Sequence, residues 1–297
     1  MRKLGKSMGK RIVRTRRRLE GLVYERMRPT GVVLGAQKGG TTALYHYLSQ
    51  HPQVVPSLQK EIHFFNNRRH FARGVDFYHS FFEHRTPVRA DKISLDVTPG
   101  YLAAASVTAP RLFEYDSCLR LVALLRDPVT RGYSAWQMYR KYYSLDRDWF
   151  DGWQASYVED AGSGPVRKRS GSFGNSFADD IREELEAMER GERIEMPFIL
   201  QGRYARQIKT FYQSFPVEQL LVLSSEELKA DTRANLYQLE EHFGLAHYPW
   251  RDEQIQPHFE GGYRERISDE ARRLLADYYR PYNQELFALL GREFDWH

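Results

Sequence analysis

The stretch from Gly31 to Leu48 constrains the fold more than any other part of the chain. Val32, Val33 and Leu34 form a short apolar run. Gly35, Lys38, Gly39 and Gly40 make a glycine-rich loop, and Thr41 and Thr42 open a segment in which Leu44, Tyr47 and Leu48 recur at helical spacing. That order reads as strand, phosphate-cradling loop and helix. Glycines let consecutive amides converge on an anion, the helix start adds its positive dipole end, and Lys38 with the threonine hydroxyls supplies directed donors. Against the nucleotide-binding pattern G-x-x-x-x-G-K-[ST], Gly35 and Gly40 are spaced correctly, but Thr41 stands in the lysine position and Lys38 lies three residues earlier. The loop therefore reads as a phosphate site unlike that of an ordinary ATPase. A plain glycine-rich turn before a helix is the alternative.

The remaining chain alternates strand and helix signals. Residues 92–96 read as a strand ending in Asp96, followed by a turn over Val97 to Tyr101. Residues 119–125 are apolar on both faces, as a central parallel strand is, and end at Arg126-Asp127-Pro128, where Asp127 can cap and Pro128 can start a helix. Helices are expected over 178–190, 203–215 and 232–243, a strand over 219–223, and a last helix from Ser268 kinked at Pro281. Aromatic residues between 71 and 82 are expected to pack under the loop Lys60 to Phe65, and the Gly/Ser-rich segment 160–176, with Arg167, Lys168 and Arg169, reads as a mobile surface loop. With 297 residues, 41% of them hydrophobic, the chain can bury a full core. The expected class is α/β, a mostly parallel sheet flanked by helices, with ligands at the carboxyl ends of its strands. The expected division is a basic arm over 1–29 and one domain over 30–297.

Residues 1–29 hold eleven Lys or Arg against Glu20 and Glu25, so this arm carries +9 in a chain of net charge +5. It reads either as a polybasic tether for anionic lipid or polyanionic glycan, or as a solvated leader. The single cysteine, Cys118, excludes an internal disulfide framework and a Cys-based zinc site and fits a reducing compartment. No stretch is apolar over the length needed to span a bilayer, and the N-terminus lacks the apolar core of a signal peptide. The expectation is a cytoplasmic protein, peripheral at the inner membrane surface if the arm is a tether, with no nucleic-acid partner.

Strand ends carry the chemistry. Arg126, with its forked donors, and Ser134 on the following helix suit a second phosphate, although each also fits an ordinary structural role. Glu61 is the best candidate for a general base: Ile62, Phe64 and Phe65 could desolvate its carboxylate, and Lys60 and His63 could partner it. A Lys-Glu pair on a loop is also an ordinary surface ion pair. Arg68, Arg69, Arg140, Lys141, Arg167, Lys168 and Arg169 are available to an acceptor or to solvent.

The loop Lys38-Gly39-Gly40-Thr41-Thr42, the stretch Lys60 to Phe65, and Leu125-Arg126-Asp127-Pro128 with Arg131, Tyr133 and Ser134 resemble sulfotransferases that use 3′-phosphoadenosine 5′-phosphosulfate (PAPS). The closest likeness is to the heparan sulfate N- and 3-O-sulfotransferases and their bacterial relatives. The tail from Leu290 to His297 is similar to the end of the 3-O type. The resemblance implies a P-loop-like sulfotransferase fold over residues 30–297. It also implies that the 38–42 loop holds the 5′-phosphosulfate, with Lys38 stabilising the leaving oxygen, and that Arg126 and Ser134 hold the 3′-phosphate. Glu61 would then be the base, with His63, Lys60 and Asp96 assisting. A late donor loop falls at Gly262, Tyr263 and Arg264, where the family's usual Lys-Gly-Arg is replaced; the flanking cysteines of the animal enzymes are absent, which speaks against a Golgi setting. A sulfonyl group carries less charge than a γ-phosphoryl, so lysine and backbone donors can replace a metal, and no metal is expected. The acceptor implied is a hydroxyl or amine of a carbohydrate or small molecule. Two other readings remain: a nucleotide kinase or NTPase, and a non-catalytic basic-armed binding protein.

Overall fold

The computed structural model describes residues 15–17, 19–145, 166–256 and 266–296. Its centre is a five-stranded sheet of β1 (Gly31–Gly35), β2 (Val54–Pro56), β3 (Ile93–Val97), β4 (Arg120–Leu125) and β7 (Leu220–Ser224), in the order β2-β3-β1-β4-β7. Every pairing is parallel, with Val33 opposite both Val97 and Val122, and Leu125 opposite Ser224. The chain leaves β1 on one side and reaches β4 on the other. The carboxyl ends of β3, β1 and β4 therefore flank the point where the winding reverses, where open parallel sheets bind ligands.

Alternation along the inner strands builds a core on each face. Val32 and Leu34 of β1 and Leu121, Ala123 and Leu125 of β4 face one cluster; Val33, Val122 and Leu124 face the other. Helices α1 (Thr41–Leu48) and α10 (Thr232–Phe243) cover the second face, supplying Leu44, Tyr47, Leu236 and Leu239. On the first lie α5 (Ala105–Tyr115) and α8 (Tyr204–Tyr212), together with the aromatic residues between 64 and 82. The expected packing under residues 60–65 is present: short α2 (Arg68–Phe71) and α3 (Gly74–His79) bring Tyr78 into a stack on Phe64, 4.7 Å between ring centres. Each buried Leu or Phe in these layers is worth about 1.5–3 kcal/mol against exposure.

After β3 come α4 (Gly100–Ala103) and, beyond β4, α6 (Pro128–Leu145), which starts at the proline expected and is capped by Asp127 accepting from the Val129 and Thr130 amides at 3.0 and 3.2 Å. A third cluster joins α6 to α7 (Phe177–Glu189) and α11 (Asp269–Leu290), which runs through Pro281 as one helix. Between β7 and α10 lies α9 (Ser225–Ala230). The C-terminal tail stacks Phe294 on Trp296, and the Trp296 indole donates to Glu226 at the start of α9.

The segment read as a surface loop needs correcting in its described part, 166–176. Val166–Arg167 is β5, paired in parallel with β6 (Arg193–Ile194), and Arg169 is buried. Its guanidinium meets Glu184 of α7 at 2.5 Å, both side chains fully buried, and donates to the Asp180, Glu195 and Met196 carbonyls. Glu184 also accepts from the amides of Phe198, Ile199 and Leu200. Arg169 is thus a structural tie and leaves the set of residues available to an acceptor.

Candidate active site

Three strand ends meet here. At the end of β1 the loop places Lys38 at φ 66° and Gly40 at φ 96°, and a Cβ on Gly39 would come within 2.5 Å of the Leu124 carbonyl oxygen. The loop is therefore pressed against β4, and only glycine fits at 39. Helix α1 begins at Gly40 with no side-chain cap and no acid in its first turn, so the orphan amides of Thr41 and Thr42 and the dipole end face the crevice. Thr41 is buried, Thr42 exposed and Lys38 half-buried. Gln37, which the sequence did not single out, accepts the Tyr139 hydroxyl of α6 at 2.8 Å and fixes the loop from behind.

Arg126, at the end of β4, reaches this loop. Its Nη1 donates to the Lys38 carbonyl at 3.3 Å and its Nε to Thr130 Oγ1 at 3.1 Å, while its own carbonyl accepts the Tyr204 hydroxyl at 2.9 Å. The guanidinium is held between the glycine loop and Thr130 of α6, while α8 ties down the Arg126 backbone. Ser134 lies about two turns along α6 and is buried. The structure brings Lys38 and Arg126 into direct contact.

The second group lies on the neighbouring strand end. The Thr98 amide donates to Val33 of β1 at 3.1 Å, and the Glu61 amide to Val97 at the end of β3 at 3.0 Å, which sets the 60–65 loop beside the glycine loop. Glu61 and His63 both adopt the left-handed region, at φ 61° and 52°. With Lys38 and Met196 they are the non-glycine residues of positive φ among those described. Such strain, about 1–3 kcal/mol each, persists where surrounding contacts over-determine it and clusters at working sites.

Those contacts converge on Asp96. Buried completely, it accepts Tyr78 and Tyr101 hydroxyls at 2.9 Å each and the Thr98 hydroxyl at 2.6 Å. Tyr101 and Thr98 in turn accept the amides of Phe64 and Ile62, each at 3.1 Å, and His70 donates to the Ile62 carbonyl at 3.1 Å. Burial pushes the Asp96 carboxyl up, and its three hydroxyl donors pull it back. Asp96 is therefore a peg beneath the loop, one step removed from the crevice. Thr98, Tyr78 and Tyr101 carry no sequence signal beyond following or facing a strand end.

Glu61 departs from the desolvated base that its neighbours suggested. Ile62, Phe64 and Phe65 are buried beneath the loop, whereas the Glu61 side chain is 47% exposed and pairs with Lys60 Nζ at 2.7 Å. His63 is half-buried, with Nδ1 3.1 Å from Asn66 Oδ1; burial pushes its imidazole below the ordinary range, with the Glu61 charge opposing. Arg68 and Arg69 are exposed on α2, next to this loop. The residues expected in the late donor loop, Gly262, Tyr263 and Arg264, lie outside the described residues.

The crevice thus sets an uncapped helix start, a lysine and an arginine beside a solvent-facing carboxylate, an arrangement able to hold an anionic donor on one side and take a proton on the other. Among known structures, a sulfotransferase from Alicyclobacillus acidocaldarius shares this fold with a TM-score of 0.63 and 23% identity, covering 90% of this chain and 97% of that one. Among characterised proteins, this chain is 23% identical to the membrane-associated sulfotransferase kil1 of Dictyostelium discoideum over 90% of its length. It is 25% identical to the mouse heparan sulfate glucosamine 3-O-sulfotransferase 3B1, again over 90%. A third relative is the human bifunctional heparan sulfate N-deacetylase/N-sulfotransferase 3, at 27% over 89%. The aligned parts make up 66%, 65% and 30% of those three proteins. The sulfotransferase domain model matches residues 29–265. That match begins at Pro29, just ahead of β1, and takes in the whole parallel sheet, so the chain belongs to the sulfotransferase domain family.

Proposed function

We propose that this sulfotransferase takes its sulfonyl group from 3′-phosphoadenosine 5′-phosphosulfate and delivers it to a hydroxyl or amine of a glycan-like or small-molecule acceptor. The observation that carries the reading is the contact of Arg126 with the Lys38 carbonyl, which puts a forked cation beside an uncapped helix start. A donor with phosphates at both its 5′ and 3′ positions needs two such anchors. The loop itself is shaped for an anion, since glycine alone fits at 39 and no side chain caps α1.

In this reading Lys38 and the first-turn amides of α1 hold the 5′-phosphosulfate, and Arg126 and Ser134 hold the 3′-phosphate. The donor supplies an activated sulfonyl group. Glu61 accepts the proton of the acceptor O–H or N–H as the acceptor atom bonds to sulfur and the bridging S–O bond breaks. Negative charge then develops on the departing 5′-phosphate, where Lys38 and the amides stabilise it. Lys60 pairs with Glu61 and orients it, and Asp96 holds the loop that carries it. The heparan sulfate enzymes among the relatives support a carbohydrate acceptor.

Calorimetry with 3′-phosphoadenosine 5′-phosphate and with ATP, followed by transfer from labelled PAPS to a panel of glycans and small alcohols, tests the reading. Tight binding of the first nucleotide but not of ATP, with turnover, is expected. Preference for ATP would favour a kinase or NTPase, and nucleotide binding without turnover on any acceptor would favour a non-catalytic protein.

A further inference from the structure

Just ahead of the sheet, residues 15–17 and 19–20 are helical, and the winding continues to Tyr24, whose amide reaches the Glu20 carbonyl at 2.8 Å. One side of this segment is fastened to the body. Arg17 meets Glu83 at 2.5 Å, and Glu20 meets Arg89 at 3.3 Å and lies 3.8 Å from His84. Arg26 then bridges to His84 and Met27 is fully buried.

The other side has no cover. Leu19, Leu22 and Val23, at i, i+3 and i+4, are 61%, 78% and 73% exposed, and Val88, beside the anchoring Arg89, is 76% exposed. A single exposed apolar residue is ordinary, but a helical stripe of them facing water is not. The sequence up to residue 18 holds nine Lys or Arg and no acid. Apolar side chains that can enter a headgroup layer, next to a dense run of cations, are the two signals that together hold a protein on an anionic bilayer. A soluble polyanion would use the cations and leave Leu19, Leu22 and Val23 in water.

We infer that Leu19, Leu22 and Val23 form a docking face for an anionic membrane surface. The face lies ahead of the amino ends of β1 and β3, and the candidate active site lies at their carboxyl ends. The inference stands apart from the reaction, because its test uses no turnover.

The test is co-sedimentation of the full chain with phosphatidylcholine vesicles, with and without added phosphatidylserine, at low and high salt. It compares wild type with Leu22→Glu/Val23→Glu, which alters two exposed side chains. Binding that needs phosphatidylserine is expected. The double variant should lose about tenfold or more in bound fraction, and a salt-resistant remainder should be present in wild type alone. Equal binding by both proteins at every salt concentration would overturn the inference. So would capture by soluble heparin without vesicle binding, which points to a polyanion. Self-association abolished by the variant, again without vesicle binding, would overturn it in favour of a second copy of the chain.

Discussion

The hydroxyl of Tyr101 donates to Asp96 at 2.9 Å and accepts the Phe64 amide at 3.1 Å, so a buried carboxylate on one strand holds the backbone of a loop reached some thirty residues earlier. Thr98 repeats the relay from Asp96 to the Ile62 amide. Asn at 96 keeps the shape but turns one acceptor oxygen into a donor that clashes with a hydroxyl. Asp96→Asn should lower kcat about 100-fold through displacement of Glu61 and His63, with the affinity for 3′-phosphoadenosine 5′-phosphate unchanged. Steady-state kinetics beside calorimetry check this, and an equal loss of nucleotide affinity would show a general fold defect.

Arg126 donates to the Lys38 carbonyl as well as facing the crevice. Arg126→Ala should weaken 3′-phosphoadenosine 5′-phosphate by about 1.5–3 kcal/mol, the worth of hydrogen bonds to a charged group. Adenosine 5′-phosphate, lacking the 3′-phosphate, should bind both proteins alike. Calorimetry with the two nucleotides separates an effect on the 3′-phosphate from a collapse of the loop.

Glu184 bears on stability. Glu184→Gln removes the nearer and fully buried of the two carboxylates on Arg169, leaving Glu183 at 3.5 Å, and sets an amide donor against the guanidinium or the backbone amides of residues 198–200. A loss of about 3–5 kcal/mol is expected in urea unfolding.

His63 titrates below its ordinary value of 6.5 because burial disfavours the imidazolium, with Glu61 opposing and His70 and Lys60 adding to the shift. Its neutral form therefore supports the fold fully above 6.5. That support is lost as pH falls from 6.5 through the lower folded value, where the unfolded chain binds the proton more readily. Asn tolerates the left-handed backbone at 63. His63→Asn should accordingly lose less stability than wild type between pH 7.5 and 5.5, and equal losses in urea midpoints would contradict the burial argument.

Much of this site is legible in the sequence because strand ends are punctuated: the glycines after Leu34, Asp127-Pro128 after Arg126, and the turn after Asp96. Strand and helix periods also place β4, α7 and α10 within a residue or so of their observed bounds. Pairing between distant segments is not written locally. Nothing near Tyr101 announces that its hydroxyl serves the Phe64 amide, and Glu61 lies among residues that bury themselves and leave it in water. Arg169 misleads for a related reason: its Gly/Ser-rich surroundings look solvated, and its partner is on α7. The one local sign is an acid, Glu184, on the stripe of Phe177 and Ile181 that faces the core.

The central claim is that Glu61 takes the acceptor proton while Lys38 and Arg126 hold the donor. The most direct measurement is single-turnover transfer from labelled PAPS by Glu61→Gln beside wild type, with 3′-phosphoadenosine 5′-phosphate affinity measured on both proteins. The account predicts a fall in rate of about 100-fold or more with nucleotide affinity unchanged. Near wild-type transfer by the Gln variant would contradict it.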